Sequence, residues 1–160
     1  MNKFDYRTIK TFEDACKHLN LDPNAFNYRF KDMADHIKAL VSLEVIIRAL
    51  NDGWRHPLDG ETKVYFPWFY LVSQREEKEY WFKDIPESQK VSYMRPDGTA
   101  GLGSALSHYA WSVSSSHVGS RLACKSDEIA RYCALTFKSY WESYLFPQPW
   151  QIEEKHGLLW

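Results

Sequence analysis

Residues 97–146 decide the fold, and they read DGTAGLGSALSHYAWSVSSSHVGSRLACKSDEIARYCALTFKSYWESYLF. A glycine-rich segment leads into LSHYAWSV, whose alternation predicts a strand. The serines at 114–116 predict a turn, and HVGSRLAC predicts the returning strand of a hairpin over 106–124. Segments that carry polar and aromatic side chains on a rigid support commonly form binding sites. We therefore place the candidate binding surface on this hairpin.

The amphipathic pattern after the hairpin predicts one helix over 126–144. Ser126 can cap this helix, and Asp127 and Glu128 occupy its first turn, near the positive end of the helix dipole. Apolar and aromatic residues recur at helical spacing along one side, opposite charged residues. That side is predicted to pack on the sheet, and it includes Ile129, Cys133, Phe137 and Tyr140.

Two helices are predicted upstream. The first follows Thr11, which can cap it, and ends near Asn20, before the Asp22-Pro23 pair. The second, over 32–52, is apolar around most of its circumference, and a glycine follows it as a stop. NAFNYRF, at 24–30, is interpreted as an irregular link between them.

Strands are predicted between these helices and the hairpin. KVYFPWFYLV, at 63–72, is β-branched and aromatic, and Pro67 favours an edge position or a bulge because proline cannot donate to a ladder. YWFKDI, at 80–85, and VSYM, at 91–94, predict short strands, and RPDGTAGLG predicts a loop over 95–103. Together the elements predict an α+β fold. Two N-terminal helices precede a small, mainly antiparallel sheet, and the C-terminal amphipathic helix packs on that sheet.

Length and composition fit one globular domain, over 1–146. The remainder, 147–160, contains Pro147 and Pro149 and ends in LLW, so it predicts an extended apolar tail. Such a tail folds back on its own body or contacts another chain, and we favour a homodimer. Aromatic residues make up 16% of the chain, a high share, so some rings are expected on a surface that meets a partner.

Charge and cysteine content limit the class of protein. The formal net charge is -1, so there is no global basic field of the kind that drives duplex DNA binding. The three cysteines are widely spaced without a CxxC pair, which favours small buried side chains in a reducing compartment. MNKFDYRTIK has no apolar run of the signal-peptide kind, and no window approaches a membrane span. We expect a cytoplasmic protein.

Three segments carry a resemblance to a known group: ALNDGW at 49–54, YFPWF at 65–69 and SRLACKSDEIARY at 120–132. The chain resembles a group of short uncharacterised proteins of Bacteroidetes bacteria and of the phages and mobile elements that infect them. It departs from that group at Cys124, where an aromatic residue is usual, and in its long C-terminal tail. The resemblance implies a phage or mobile-element accessory protein, and it brings no functional residue with it.

Catalysis and metal binding have little support in the hairpin. His108 and His117 lie near serines, but no GxSxG elbow exists and no acid is spaced to orient either histidine. A metal site would need both histidines and Cys124 to converge, and strand alternation places His117 and Cys124 on opposite faces. We predict a protein without enzymatic activity, metal or cofactor.

The candidate ligand-binding residues are Arg95, His108, Tyr109, Trp111, His117 and Arg121. Glycine N–H groups, an arginine and a stacking ring would suit a nucleotide or another flat anion, although a purely structural loop is the alternative. The sequence predicts an accessory protein that binds a host protein or sequesters a nucleotide-like ligand, in an anti-defence role. Binding of single-stranded nucleic acid is the second hypothesis, because rings beside basic residues on a small sheet bind single strands. A virion structural subunit is the third.

Overall fold

The computed structural model describes residues 4–57, 59–72, 86, 90–94, 101–111 and 120–146. In these ranges the chain mixes helices and strands, which is compatible with the predicted α+β class. Contacts within the chain define two compact units: Met1–Arg55 together with Ser139–Trp160, and His56–Lys138. The single domain over 1–146 stays a prediction.

Helix α1, Phe12–His18, begins with a capping box. The hydroxyl of Thr11 accepts a hydrogen bond from the N–H of Asp14 at 3.1 Å, and the Asp14 carboxylate accepts from the N–H of Thr11 at 3.0 Å. The same carboxylate accepts from the N–H of Lys10, also at 3.0 Å. The predicted cap is therefore confirmed. These hydrogen bonds, from Lys10 first and then from Thr11, lower the pKa of Asp14 because they favour its charged form.

The interpretation of 24–30 as an irregular link is wrong, because helix α2 covers Pro23–Arg29. Asp22 is its cap, and its carboxylate accepts from the N–H of Asn24 at 2.9 Å. A proline in the first turn suits a helix start, since its missing N–H would have no partner there. The Asp22-Pro23 pair is thus the beginning of a second helix, not only the end of the first.

The long apolar helix is confirmed as α3, Asp35–Leu50. At its end the N–H of Gly53 donates to the carbonyl of Arg48 at 3.1 Å, and the N–H of Asp52 donates to Ala49 at 2.9 Å. Asp52 and Gly53 both adopt left-handed backbone conformations, with φ of 55° and 73°. This pair of nested hydrogen bonds is a common helix ending, so ALNDGW is a stop signal for α3. The fully buried side chains of α3 include Leu43, Ile46, Ile47 and Leu50.

Among the described residues, the second unit contains three strands, β1 (Lys63–Val72), β2 (Lys90–Met94) and β3 (Gly101–Trp111). They form a sheet in the order β1-β3-β2, and both pairings are antiparallel. The predicted strands at 63–72 and 91–94 thus exist, and β1 lies at the edge position that its proline favours.

The returning strand of the predicted hairpin is wrong over its described part. Ser120–Leu122 is a 3₁₀ turn, and Cys124 then pairs with Tyr65 of β1 rather than with β3. The N–H of Tyr65 donates to the carbonyl of Cys124 at 3.0 Å, and the N–H of Cys124 donates back at 2.8 Å. Strand β3 is the central strand, between β1 and β2, whereas the outer edge of β1 can accept this segment. Residues 112–119 lie outside the described ranges.

The bridge to Cys124 also explains why a proline is tolerated in β1. Because both backbone groups of Tyr65 bond to Cys124, they point away from β3. Backbone groups alternate along a strand, so those of Pro67 point the same way. Its missing N–H therefore removes no hydrogen bond between β1 and β3.

Three further predicted segments lie partly or wholly outside the described residues. The predicted loop over 95–103 is wrong in its last three residues, because β3 begins at Gly101, and its first six lie outside the described residues. The predicted strand at 80–85 and the tail at 147–160 also lie outside them.

The predicted helix over 126–144 is two helices, α4 (Asp127–Thr136) and α5 (Lys138–Leu145). Ser126 caps α4, as predicted, by accepting from the N–H of Ile129 at 3.4 Å. Phe137 separates the helices, with φ of -109° and ψ of 31°, and its side chain is only 2% exposed. Helix α4 contacts β1 and β3. Its buried side chains are Ile129, Ala130, Cys133 and Ala134.

The packing of Tyr140 on the sheet stays a prediction. Tyr140 belongs to the first unit, where its ring centroid lies 6.3 Å from that of Phe12 on α1. Burial raises the pKa of Tyr140, and the neighbouring Glu13 raises it further.

We predict that Asp14→Asn makes the melting temperature less dependent on acid pH. The lowered pKa means that Asp14 stabilises the folded state fully above its unfolded pKa of about 3.9, and that this contribution disappears as pH falls through the folded value. Thermal unfolding at pH 6 and pH 2 should show that the melting temperature of the wild type exceeds that of the variant by more at pH 6 than at pH 2. A constant difference would contradict the role of the charge.

We predict that Phe137→Ala lowers the free energy of unfolding by about 3–5 kcal/mol, because the ring is buried and its removal leaves a cavity. Urea denaturation measures this loss. Tyr28→Ala is the control, since that ring is exposed and its removal should cost within about 0.5 kcal/mol. A loss below about 1 kcal/mol for Phe137→Ala would show that the ring is not a core residue.

Candidate functional site

One face of the sheet brings together a lysine and two tyrosines. Tyr65 on β1 lies opposite Tyr109 on β3, and Lys63 lies two residues before Tyr65, so all three share a face. Because the backbone of Tyr65 bonds to Cys124, no hydrogen bonds join Tyr65 to Tyr109, and pairs of this kind bring side chains closest. The ring centroids are 6.5 Å apart. We call Lys63, Tyr65 and Tyr109 the tyrosine face.

The ammonium of Lys63 lies over both rings. Its Nζ is 3.6 Å from the centroid of Tyr109 and 5.9 Å from that of Tyr65. The first distance is well within the range of a cation–π interaction, and the second is at its limit. The side chain of Tyr109 is 49% exposed, and Lys63 is exposed as well. The tyrosine face therefore offers solvent an aromatic surface beside a positive charge.

On the other face of β1, the side chains are buried at the beginning of the strand and exposed towards its end. Val64 and Phe66 are buried, whereas Trp68 and Tyr70, which follow at the same alternation, are exposed. Trp and Tyr are enriched among the residues that contribute most to protein–protein binding. This half of the strand is a second aromatic surface, opposite the tyrosine face.

The six predicted site residues do not form one described cluster. Tyr109 lies in the tyrosine face, and Arg121 is exposed on the 3₁₀ turn rather than on a strand. His108 and Trp111 occupy β3 opposite Phe66 and Lys63, and their side chains are not among those described. Arg95 and His117 lie outside the described residues.

Sequence reasoning missed Lys63 and Tyr65. Alternation in KVYF already places these two side chains on one face of β1. The missing information was the partner strand, because the pairing of Tyr65 with Tyr109 joins segments 44 residues apart. No local pattern specifies such a register.

A histidine–carboxylate pair lies in the first unit. Nε2 of His18 is 3.1 Å from a carboxylate oxygen of Asp52, and the ring of Phe4 lies 4.4 Å from the imidazole, centroid to centroid. A histidine oriented by an acid becomes catalytic when its other side faces a nucleophile. Here the pair connects α1 to the turn after α3, and an aromatic ring packs against the imidazole. We interpret it as structural.

The cysteines are buried, as predicted. Cys16, Cys124 and Cys133 are free thiols. Burial raises the pKa of Cys124 well above its ordinary value, and Cys133 nearby adds to the effect. Among the described side chains, no three of the His, Cys, Asp and Glu type are grouped so that they could hold a metal ion. In the same part of the chain, no helix has both the length and the apolar character to cross a membrane.

No family model, curated protein or solved structure matches this chain. The resemblance to the Bacteroidetes and phage group therefore stays a prediction, and the site is interpreted from its own geometry.

We predict that the three thiols react with an aromatic disulfide reagent such as dithiobis-nitrobenzoate only after unfolding. The reactive species is the thiolate, and burial suppresses both its formation at Cys124 and the access of the reagent. Absorbance measurements at neutral pH, with and without guanidinium, count the reactive thiols. Rapid reaction in the native protein would contradict this prediction and indicate an accessible thiolate.

Proposed function

We propose that this protein is a non-catalytic binding protein whose tyrosine face holds a flat, negatively charged ligand of the nucleotide type. The observation that supports this most is the 3.6 Å contact between Nζ of Lys63 and the exposed ring of Tyr109. A base can stack on the tyrosine, and the ammonium beside it can bind a phosphate.

The ammonium of Lys63 gains more free energy from a ligand phosphate than from the ring of Tyr109. At an exposed site a cation–π interaction is worth about 0.5–1 kcal/mol. A hydrogen bond to a charged group contributes about 1.5–3 kcal/mol. A ligand phosphate can therefore draw the ammonium off the ring and leave the ring surface to the base.

The absence of catalysis is part of the proposal. The described thiols are buried, and burial favours the protonated form of Cys124. The described histidine–carboxylate pair, His18 with Asp52, packs against the ring of Phe4. Neither arrangement presents an activated nucleophile to a ligand.

The resemblance in sequence suggests the setting for this activity. In a cytoplasmic accessory protein of a phage or mobile element, the tyrosine face would sequester a host nucleotide and so weaken a defence response. Binding of a host protein is the second form of the same proposal, and the exposed Trp68 and Tyr70 favour it. A homodimer and a C-terminal helical region packed on a small antiparallel sheet complete the proposed architecture.

Titration with a panel of mononucleotides and cyclic nucleotides, followed by tryptophan fluorescence, tests the proposal. We expect one nucleotide to bind, and Tyr109→Ala and Lys63→Gln each to weaken its affinity about tenfold or more without changing the melting temperature. Tyr70→Ala is the matched control, because it removes the same kind of ring, similarly exposed at 44%, from the other face of β1.

Two results would contradict the proposal. In the first, no nucleotide binds at all. In the second, Tyr70→Ala weakens binding as much as Tyr109→Ala, which would move the site away from the tyrosine face.

A further inference from the structure

A second surface of rings and cations lies in the first unit, at the end of α2. Tyr28 is 73% exposed, the highest value among the large hydrophobic side chains in the described residues. Nζ of Lys31 lies 4.7 Å from the centroid of its ring. Lys31 lies in the turn that follows α2, where its N–H donates to the carbonyl of Tyr28 at 3.4 Å and keeps the two residues close.

A second ring–cation pair overlaps the first in sequence. The guanidinium carbon of Arg29 lies 6.0 Å from the centroid of the Phe30 ring. Phe30 packs against Phe26 with ring centroids 4.6 Å apart, and Phe26 packs against the buried Phe12 at 4.9 Å, both pairs being tilted. This series of rings connects the surface to the core of the unit, so Phe30 has a fixed support.

The four residues from 28 to 31 thus alternate ring and cation, as YRFK. Arg29 and Lys31 are exposed together with Tyr28. Two exposed acids, Asp32 and Asp35, follow directly, so the local electrostatic field is modest. Recognition at this surface therefore depends on stacking as well as on charge.

We propose that Tyr28, Arg29, Phe30 and Lys31, the α2 surface, bind single-stranded nucleic acid. Bases of any sequence can stack on an exposed ring, while neighbouring cations contact the phosphates between them. A duplex fits poorly, since its bases are already stacked and the chain has no net positive charge to attract it. Each ring here has a cation beside it, and this alternation suits the alternating bases and phosphates of a single strand.

This proposal is independent of the tyrosine face, which belongs to the other unit. Fluorescence anisotropy of the full chain with labelled oligothymidylate, at 50 and 200 mM salt, tests it. Tyr28→Ala should weaken binding about tenfold, and Tyr28→Phe should retain it, because phenylalanine keeps the stacking surface. All variants should keep the wild-type melting temperature, since the substituted side chain is exposed.

A pair of double variants separates a local site from general charge. Arg29→Gln with Lys31→Gln should weaken binding and reduce the dependence of log affinity on log salt by about 1.4, the value for two phosphate contacts on a single strand. Lys10→Gln with Lys17→Gln removes the same charge from exposed positions of the same unit, and should change the affinity less than twofold.

Three results would overturn the proposal. The wild type fails to bind the oligonucleotide, Tyr28→Ala binds as the wild type does, or the two double variants lose affinity equally. If Tyr109→Ala abolishes oligothymidylate binding and Tyr28→Ala does not, the oligonucleotide binds at the tyrosine face instead.

Discussion

The pair of hydrogen bonds between Tyr65 and Cys124 is the constraint on which the second unit depends. These bonds, at 3.0 and 2.8 Å, attach the segment before α4 to the edge of β1. Helix α4 begins three residues later, so the same attachment fixes its start beside the strand that it covers. The buried thiol of Cys124 fits this position, because a small side chain can be enclosed there completely.

The same bridge determines the geometry of the tyrosine face. It directs the backbone groups of Tyr65 away from β3, so the tyrosine pair lacks mutual hydrogen bonds and its side chains lie close. Lys63 then lies within reach of both rings. A structural attachment on one edge of β1 and a candidate binding surface on its face are thus two consequences of one local arrangement.

Elements with local signals were predictable from the sequence. Thr11 and Ser126 cap their helices, the apolar pattern of α3 extends over more than four turns, and KVYFPWFYLV is a strand. Each depends on residues within a few positions of one another. The start of α2 was predictable in principle, since Asp22 and Pro23 form a capping pair that also fits the end of α1.

The remaining features depend on contacts that no local pattern encodes. The pairing of Cys124 with β1 rather than β3 is a competition between two strand edges. The break at Phe137 separates a stripe of apolar residues that continues in sequence, so periodicity alone predicts one helix. The register between β1 and β3 is also non-local, so the sequence places Tyr109 among the candidate residues but does not join Lys63 and Tyr65 to it.

The most direct test of the central claim is a proton NMR titration of the tyrosine rings with each of a panel of mononucleotides and cyclic nucleotides. If the tyrosine face stacks a base, at least one nucleotide will shift the ring protons of Tyr109 and Tyr65 upfield in a saturable way. The same nucleotide will leave Tyr70, on the opposite face of β1, unchanged. Unshifted Tyr109 signals throughout the panel, or shifts of equal size at Tyr70, would contradict the account.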